Sequence, residues 1–306
     1  MMDHAKAWAP GHITGFFDIC DESDDILKKG SCGAGFSLSK GCTTTVAIKK
    51  SSTAIPQYFI NNTADNAMVS AKVITLFFSR LGICVPKGLK IMHNIEVPFG
   101  AGFGSSGAGA FSLSLALNKL YGLPLSDIEA GQIAHVAEAE CKTGLGTVLG
   151  DTVGGIETRT APGAPGIGEV LSFPQLRGTT LFCCVFGPLS TTSALSDPQQ
   201  RQKIREAYGT SLQSFLRHPV IAHFMLVSRN FAEQTGFITN EVRIVLNLFD
   251  KKNIPATMPM FGEAVYTIAD ISLKETIMGI FAQIKKPHTL FESTIAEQGA
   301  HVIDEH

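Results

Sequence analysis

The sequence predicts an α+β fold. Three observations carry that reading: alternation of apolar and polar residues before Gly100, apolar residues at helical spacing in several segments, and an order of elements without regular βαβ alternation. Residues 43–48 form a β-branched run, and Leu89, Ile91, Ile95 and Val97 alternate with polar neighbours around His93. Both predict strands of a sheet whose two faces pack differently. Between them Ala67, Val69, Ala71, Val73, Ile74, Phe77, Phe78 and Leu81 recur at helical spacing, and Gly82 stands where a left-handed C-terminal cap belongs. A second helix is expected from Ser105 or Ser106 through Phe111, Leu115, Leu117 and Leu120 to Gly122. A third opens on the capping box Ser126-Asp127-Ile128-Glu129 and runs to Glu140.

After Asp151-Thr152-Val153-Gly154-Gly155 a short extended stretch enters the loop Ala161-Pro162-Gly163-Ala164-Pro165-Gly166, a composition change that marks a boundary. Two domains are therefore expected, residues 1–168 and 169–306. In the second, 179–186 reads as a buried strand, 198–216, 219–234 and 241–252 as helices, 254–261 as extended chain and 272–284 as a helix.

Composition narrows the function. The chain has 306 residues, 44% hydrophobic and 17% charged, with 25 Lys+Arg against 27 Asp+Glu. Such a chain has too much apolar surface and too little net charge to stay disordered. It has no uninterrupted apolar run near ~18 residues, so no membrane span is expected. It has no block of five or six basic residues, so no nucleic-acid partner and no acidic membrane surface is expected. A small-molecule substrate is left. Residues 1–10 lack the basic and apolar regions of a secretory signal, which points to the cytoplasm. The seven cysteines contain no C-x-x-C and the nine histidines no paired-ligand spacing, so reduced, mostly buried thiols and no structural metal are expected.

The thirty glycines cluster. The densest stretch, Val97-Pro98-Phe99-Gly100-Ala101-Gly102-Phe103-Gly104-Ser105-Ser106-Gly107-Ala108-Gly109, joins an expected strand to an expected helix. Glycines there free backbone N–H groups, and the helix N-terminus adds unpaired donors and the positive end of its dipole, which together suit a phosphate. Ser105 and Ser106 add hydroxyls that can cap the helix, donate to phosphate or ligate a phosphate-bound Mg²⁺. Gly102, Gly104 and Gly107 also match a dinucleotide fingerprint with Asp127 twenty residues on. However, the preceding strand alternates and Asp127 lies inside a capping box, so the context is wrong. No G-x-x-x-x-G-K-[ST] occurs. The remaining bland reading is a tight helix-packing turn.

Pro98-x-x-x-Gly102-Phe103-Gly104-Ser105-Ser106-Gly107-Ala108 resembles the P-x-x-x-G-L-G-S-S-A-A phosphate motif of the GHMP small-molecule kinases. Ala9-Pro10-Gly11-His12-Ile13 is similar to the opening A-P-G-K-V of mevalonate kinases, and Gly144-Leu145-Gly146-Thr147 with Gly154-Gly155 resembles the stretch that carries the family's catalytic Asp. Residues 10–17, 33–41 and 142–146 are most similar to the archaeal pantoate kinases. The resemblance implies a two-domain fold, a ribosomal protein S5 domain 2-like N-terminal domain followed by a ferredoxin-like C-terminal domain. It also implies ATP and Mg²⁺ as cofactors and phosphorylation of the 4-hydroxyl of pantoate in coenzyme A biosynthesis. Homoserine, mevalonate or shikimate are alternative acceptors, and a non-catalytic sensor or an oxidoreductase are alternative classes.

By the same resemblance, Pro98, Gly100, Gly102, Gly104, Ser105, Ser106, Gly107 and Ala108 hold the nucleotide, and Ser106 with Glu138 positions Mg²⁺. His12 and Asp151 lie by the acceptor hydroxyl, and Lys40 and Arg159, with His12, meet the substrate carboxylate. Two departures bear on mechanism. His12 replaces a lysine, and Thr147 occupies the catalytic Asp position, so Asp151, one helical turn later, is the expected base if the segment is helical. Residues 258–263 stand for the family's reduced third motif. His135 reads as a core histidine, and Lys28-Lys29 after Asp18, Asp21, Glu22, Asp24 and Asp25 as a solvated charge run or a mobile lip. The second half has apolar helices that leave room for a homodimer.

Overall fold

The computed structural model describes residues 3–49, 53–173, 179–188 and 197–304. Its spine is a long antiparallel hairpin, β1 (His4–Cys20) and β2 (Gly30–Ile48), bulged between Pro10 and Gly11 and between Thr14 and Phe16. The bulges let one strand serve two environments, since they bend and twist it. The C-terminal part of β2 pairs with β5 (Leu89–Ile95), whereas Gly33 to Phe36 pair with β6 (Ile156–Ala161). Around this spine β3 (Gln57–Ile60) runs parallel to β5 and carries β4 (Thr63–Ala64), β7 (Glu169–Phe173) extends β6, and β11 (His301–Ile303) returns from the chain's end to β1.

Helix α2 (Ser105–Leu120) lies against β1 and β2, flanked by α1 (Met68–Leu81) and α3 (Asp127–Cys141). Every residue of α2 except Ser106 and Lys119 is buried; Lys119, near the C-terminus, is paired with Asp304, and Ser106 is the side chain open at the N-terminus. The expected terminators are in place: Gly82 is left-handed, and Ser126 and Glu129 close a reciprocal capping box. A short α4 (Thr147–Gly150) connects α3 to β6.

The second half builds a three-stranded antiparallel sheet in the order β10 (Thr289–Thr294), β8 (Thr180–Pro188), β9 (Gly262–Ala269). With it come α5 (Pro198–Arg217), α6 (Ile221–Thr235), α7 (Asn240–Asp250) and α8 (Lys274–Phe281). The boundary expected at 168/169 falls between β6 and β7, which pair with each other. Aromatic rings join the two halves: Phe16 of β1 meets Phe215, Phe224 and Phe231 at 6.0, 6.3 and 6.5 Å, and Phe36 of β2 meets Phe224 at 5.7 Å. Among the described residues no helix is long and apolar enough to cross a membrane.

Two expectations differ from the structure. Residues 254–261 form no strand beyond an isolated bridge at Thr257, because Pro255 and Pro259 lack the N–H that a ladder needs. The helix expected over 272–284 divides: Asp270 caps a 3₁₀ turn, Ile271–Leu273, before α8 begins. The thiols are as expected: Cys32, Cys42, Cys183 and Cys184 are buried, Cys20 and Cys141 half-buried and Cys84 exposed, and all seven are free.

The segment without a strand presses on the glycine loop instead. A Cβ on Gly262 would lie 1.8 Å from the Ala101 carbonyl oxygen, and one on Gly102 (φ +82°) would lie 3.0 Å from Gly262 N. Gly262→Ala is therefore expected to force two backbones apart and to cost about 1–3 kcal/mol of stability in denaturant unfolding.

Candidate active site

The site is assembled at the start of α2 from the end of β5, the bulged middle of β1, the last turn of α3, α4 and the first half of β6. Gly100, Gly102 and Gly104 have φ of +67°, +82° and +64°, a left-handed series that L side chains resist and that brings the chain sharply into α2. Gly104 is the N-cap and no side chain caps the helix, so the first-turn N–H groups face whatever sits at its mouth. Ser106 is half-buried there, Ser105 is buried, Pro98 is half-buried and Gly100 is exposed. The His12 N–H donates to the Phe103 carbonyl at 3.0 Å, which ties the loop to β1. Gly107 and Gly104 let Thr147 pack directly on the start of α2, for a Cβ on either would come within 2.7 or 2.9 Å of its methyl group.

Beside Ser106 lies the Glu138 carboxylate, buried on α3. The Thr143 hydroxyl donates to Glu138 Oε1 at 2.5 Å and Ser106 supplies a second hydrogen bond, yet burial still raises the Glu138 carboxyl above its ordinary range. A Cβ on Gly144 would lie 2.4 Å from Glu138 Oε2, so the turn before α4 closes over this oxygen with backbone alone. A hydroxyl and a carboxylate are hard oxygen donors suited to Mg²⁺, an ion that takes few protein ligands when phosphates supply the others. Among the described residues no cluster of three His, Cys, Asp or Glu is placed to hold a metal.

A second group is wholly buried. Glu157 Oε1 accepts from His12 Nε2 at 2.9 Å and from Arg159 Nη1, and Arg159 Nη1 lies 3.5 Å from His12 Nε2. His12 is 2% exposed, Arg159 1% and Glu157 0%. Burial lowers the His12 pKa more than the Glu157 carboxylate raises it, which keeps the imidazole neutral at pH 7. Asp151 follows α4, its N–H bonded to the Thr147 carbonyl at 2.8 Å, so the helical turn that places Thr147 and Asp151 on one side is present. Neither carboxylate oxygen of Asp151 has a hydrogen-bond partner among the described residues. Burial raises its pKa well above the usual carboxylate value, and the charges of Glu138 and Glu157 push the same way against Arg159.

His12, Asp151, Arg159, Thr147, Ser106 and Glu138 are thus brought together. Lys40 stands apart from the buried group: it is exposed, its ammonium 5.2 Å over the Phe291 ring, which meets Phe103 of the glycine loop at 5.1 Å. The acidic run is not a free lip. Arg201 and Arg205 of α5 hold it, with Arg205 Nη2 3.0 Å from Glu22, Arg205 Nε 3.4 Å from Asp18, and Arg201 paired to Asp21. His135 is buried on α3 and bonds the backbone of Ile26 and Lys29 behind that run. Sequence reasoning missed Glu157. The available signal was its spacing: Glu157 and Arg159 are two apart on a strand, and so leave it on one face.

Residues 68–154 match the family described as GHMP kinases N terminal domain. The chain is 31% identical to the pantoate kinase of Thermococcus kodakarensis over 94% of its own length and 95% of that protein's. It is also 31% identical to the pantoate kinase of Methanocaldococcus jannaschii, over 92% and 97%. A solved structure described as a phosphotransferase related to the CoA biosynthesis pathway superposes with a TM-score of 0.83 at 29% identity, covering 98% of each chain.

Proposed function

Because the chain belongs to the GHMP kinases, ATP-dependent phosphotransferases that act on small molecules, we propose that its acceptor is pantoate, phosphorylated on the 4-hydroxyl to give 4-phosphopantoate for coenzyme A biosynthesis. One observation carries the reading beyond the likeness to pantoate kinases: a buried guanidinium, Arg159, held with His12 beside Asp151, a carboxylate neither of whose oxygens has a partner among the described residues. Pantoate offers a carboxylate to the first and a primary hydroxyl to the second. A guanidinium matches a carboxylate with two parallel hydrogen bonds, and burial strengthens them.

The residues divide the work. Backbone N–H groups of the loop 98–108 and of the first turn of α2 hold the ATP phosphates, and the dipole of α2 favours their charge. Ser106 and Glu138 would hold Mg²⁺, which when bound neutralises charge on the phosphates. Asp151 takes the proton of the 4-hydroxyl, and Thr147, lacking a carboxylate, packs the start of α2 in place. A weak base is enough, because phosphoryl transfer through a loose transition state depends chiefly on positioning and charge neutralisation.

ADP release with pantoate, homoserine, mevalonate and shikimate in parallel tests the acceptor. Turnover is expected with pantoate; turnover confined to another alcohol would replace the acceptor, and binding without turnover of any would favour a sensor. Ser106→Ala is expected to lower kcat/KM for ATP about 10- to 100-fold, the worth of a hydrogen bond to a charged group. Stability should fall by no more than about 1–3 kcal/mol, because Gly104 and not a serine side chain is the cap and the buried Glu138 carboxylate, losing the Ser106 bond, keeps that of Thr143.

A further inference from the structure

Glu157 has two partners and one geometry. Both partners use the same oxygen: Oε1 faces His12 Nε2 at 2.9 Å and Arg159 Nη1, while Oε2 has no partner among the described residues. A carboxylate paired with a guanidinium only accepts hydrogen bonds. The proton on the neutral His12 ring therefore sits on Nε2, and Nδ1 carries the lone pair. The guanidinium, 3.5 Å from the same Nε2, cannot donate to a protonated nitrogen, so the carboxylate between them is what allows the two to stand side by side.

Four glycines fix this arrangement from outside. A Cβ on Gly35 would lie 2.4 Å from His12 Cε1, on Gly150 2.9 Å from His12 Nε2, on Gly33 3.0 Å from Arg159 Nη2, and on Gly146 3.0 Å from Arg159 Nε. Backbone thus packs against both side chains where any other residue would put a Cβ.

We propose that Glu157 is the positioning residue of the acceptor pocket: it holds His12 in the Nε2–H tautomer, with Nδ1 as the ring's acceptor, and aims Arg159 at the carboxylate of the acceptor. The proposal rests on the reading of this pocket as the site of a carboxylate-bearing alcohol. Glu157 touches neither nucleotide nor reacting oxygen in this scheme and acts through the other two.

Two readouts separate its failure from failure of that reading. The first is free of turnover: in protein labelled with ¹⁵N-histidine, long-range ¹H–¹⁵N correlation should show His12, assigned with His12→Asn, protonated on Nε2. Glu157→Gln should abolish that single tautomer. A wild-type ring protonated on Nδ1 overturns the proposal whatever the acceptor proves to be. The second is kinetic. Glu157→Gln is expected to raise KM for the acceptor about tenfold or more while KM for ATP moves less than about twofold, and Glu157→Asp should fall between wild type and Gln. A merely structural glutamate would lower kcat and thermal stability with both KM values unmoved, and that result overturns it. If the Gln variant does not fold, the Asp variant decides by the same split. If no carboxylate-bearing alcohol is turned over by the wild type, the acceptor reading fails while the tautomer still judges Glu157.

Discussion

Replacing Arg159 by methionine is expected to lower stability by about 3–5 kcal/mol and to remove measurable turnover of the acceptor at any soluble concentration. The two losses have different origins. Stability falls because Glu157, 0% exposed, is left as a buried charge whose remaining partner among the described residues is a neutral imidazole. A buried carboxylate without a cation must either pay its desolvation or take up a proton. Activity falls, on the proposed reading, because the substrate carboxylate loses its bidentate partner. The double variant Glu157→Leu with Arg159→Met separates them. Exchanging both charges for apolar side chains of similar volume should recover most of the stability, since a buried ion pair contributes little net over a packed apolar pair. Activity should not return. Urea unfolding and steady-state kinetics on the three proteins decide it; a single variant that unfolds like wild type would show that Arg159 does not balance Glu157.

The parts of this site that were legible in the sequence are those whose signal is local. A glycine series at a strand-to-helix junction announces left-handed backbone and free N–H groups without any knowledge of the fold, and Ser126 with Glu129 announces a helix start. Asp151 was legible by a step of geometry: with glycines before and after, residues 147–151 make one helical turn, which carries the side of Thr147 to Asp151. What stayed hidden depends on contacts across long separations. Glu157 gains its meaning from His12, 145 residues away. The acidic run looked solvated because Arg201, its partner, is 180 residues from Asp21. Residues 254–261 misled for a local reason, since their apolar content suggests a strand and their prolines forbid one. The sheet's two-fold use of β2 was also hidden. Nothing in a 19-residue strand says that one end will pair with β5 and the other with β6, because the bulge that separates them, at Ser39 and Lys40, is fixed only by the register with β1.

Asp151→Asn is expected to lower kcat by about 10²-fold or more, the usual worth of a positioned general base, while leaving the fold as stable as wild type or more so. Most substitutions at a buried charge destabilise, and the opposite expectation here follows from what surrounds this one. Neither oxygen has a partner among the described residues, and the two neighbouring carboxylates, Glu138 and Glu157, repel it more than Arg159 attracts it. In the unfolded chain the carboxyl ionises near pH ~3.9; in the folded protein it holds its proton to a pH well above that. Below both values the two states bind the same number of protons and Asp151 contributes no difference. As pH rises through the unfolded value and onward to the folded one, the folded state binds more protons than the unfolded, so wild-type stability falls. Asparagine has no proton to hold. Melting temperatures of wild type and Asp151→Asn should therefore agree near pH 3 and diverge above pH ~4, with the variant higher. The same raised pKa governs the chemistry in the opposite sense. In the proposed role Asp151 accepts the hydroxyl proton only when ionised, so wild-type kcat/KM should climb with pH along a limb lying above the ordinary carboxylate range, and the Asn variant should lack that limb. Stability spent on an unpartnered carboxylate and activity gained from it are then two consequences of one buried charge. Asp151→Asn with wild-type turnover and an unchanged acid limb would remove Asp151 from the mechanism, leaving the transfer to positioning by the glycine loop, Arg159 and His12 alone.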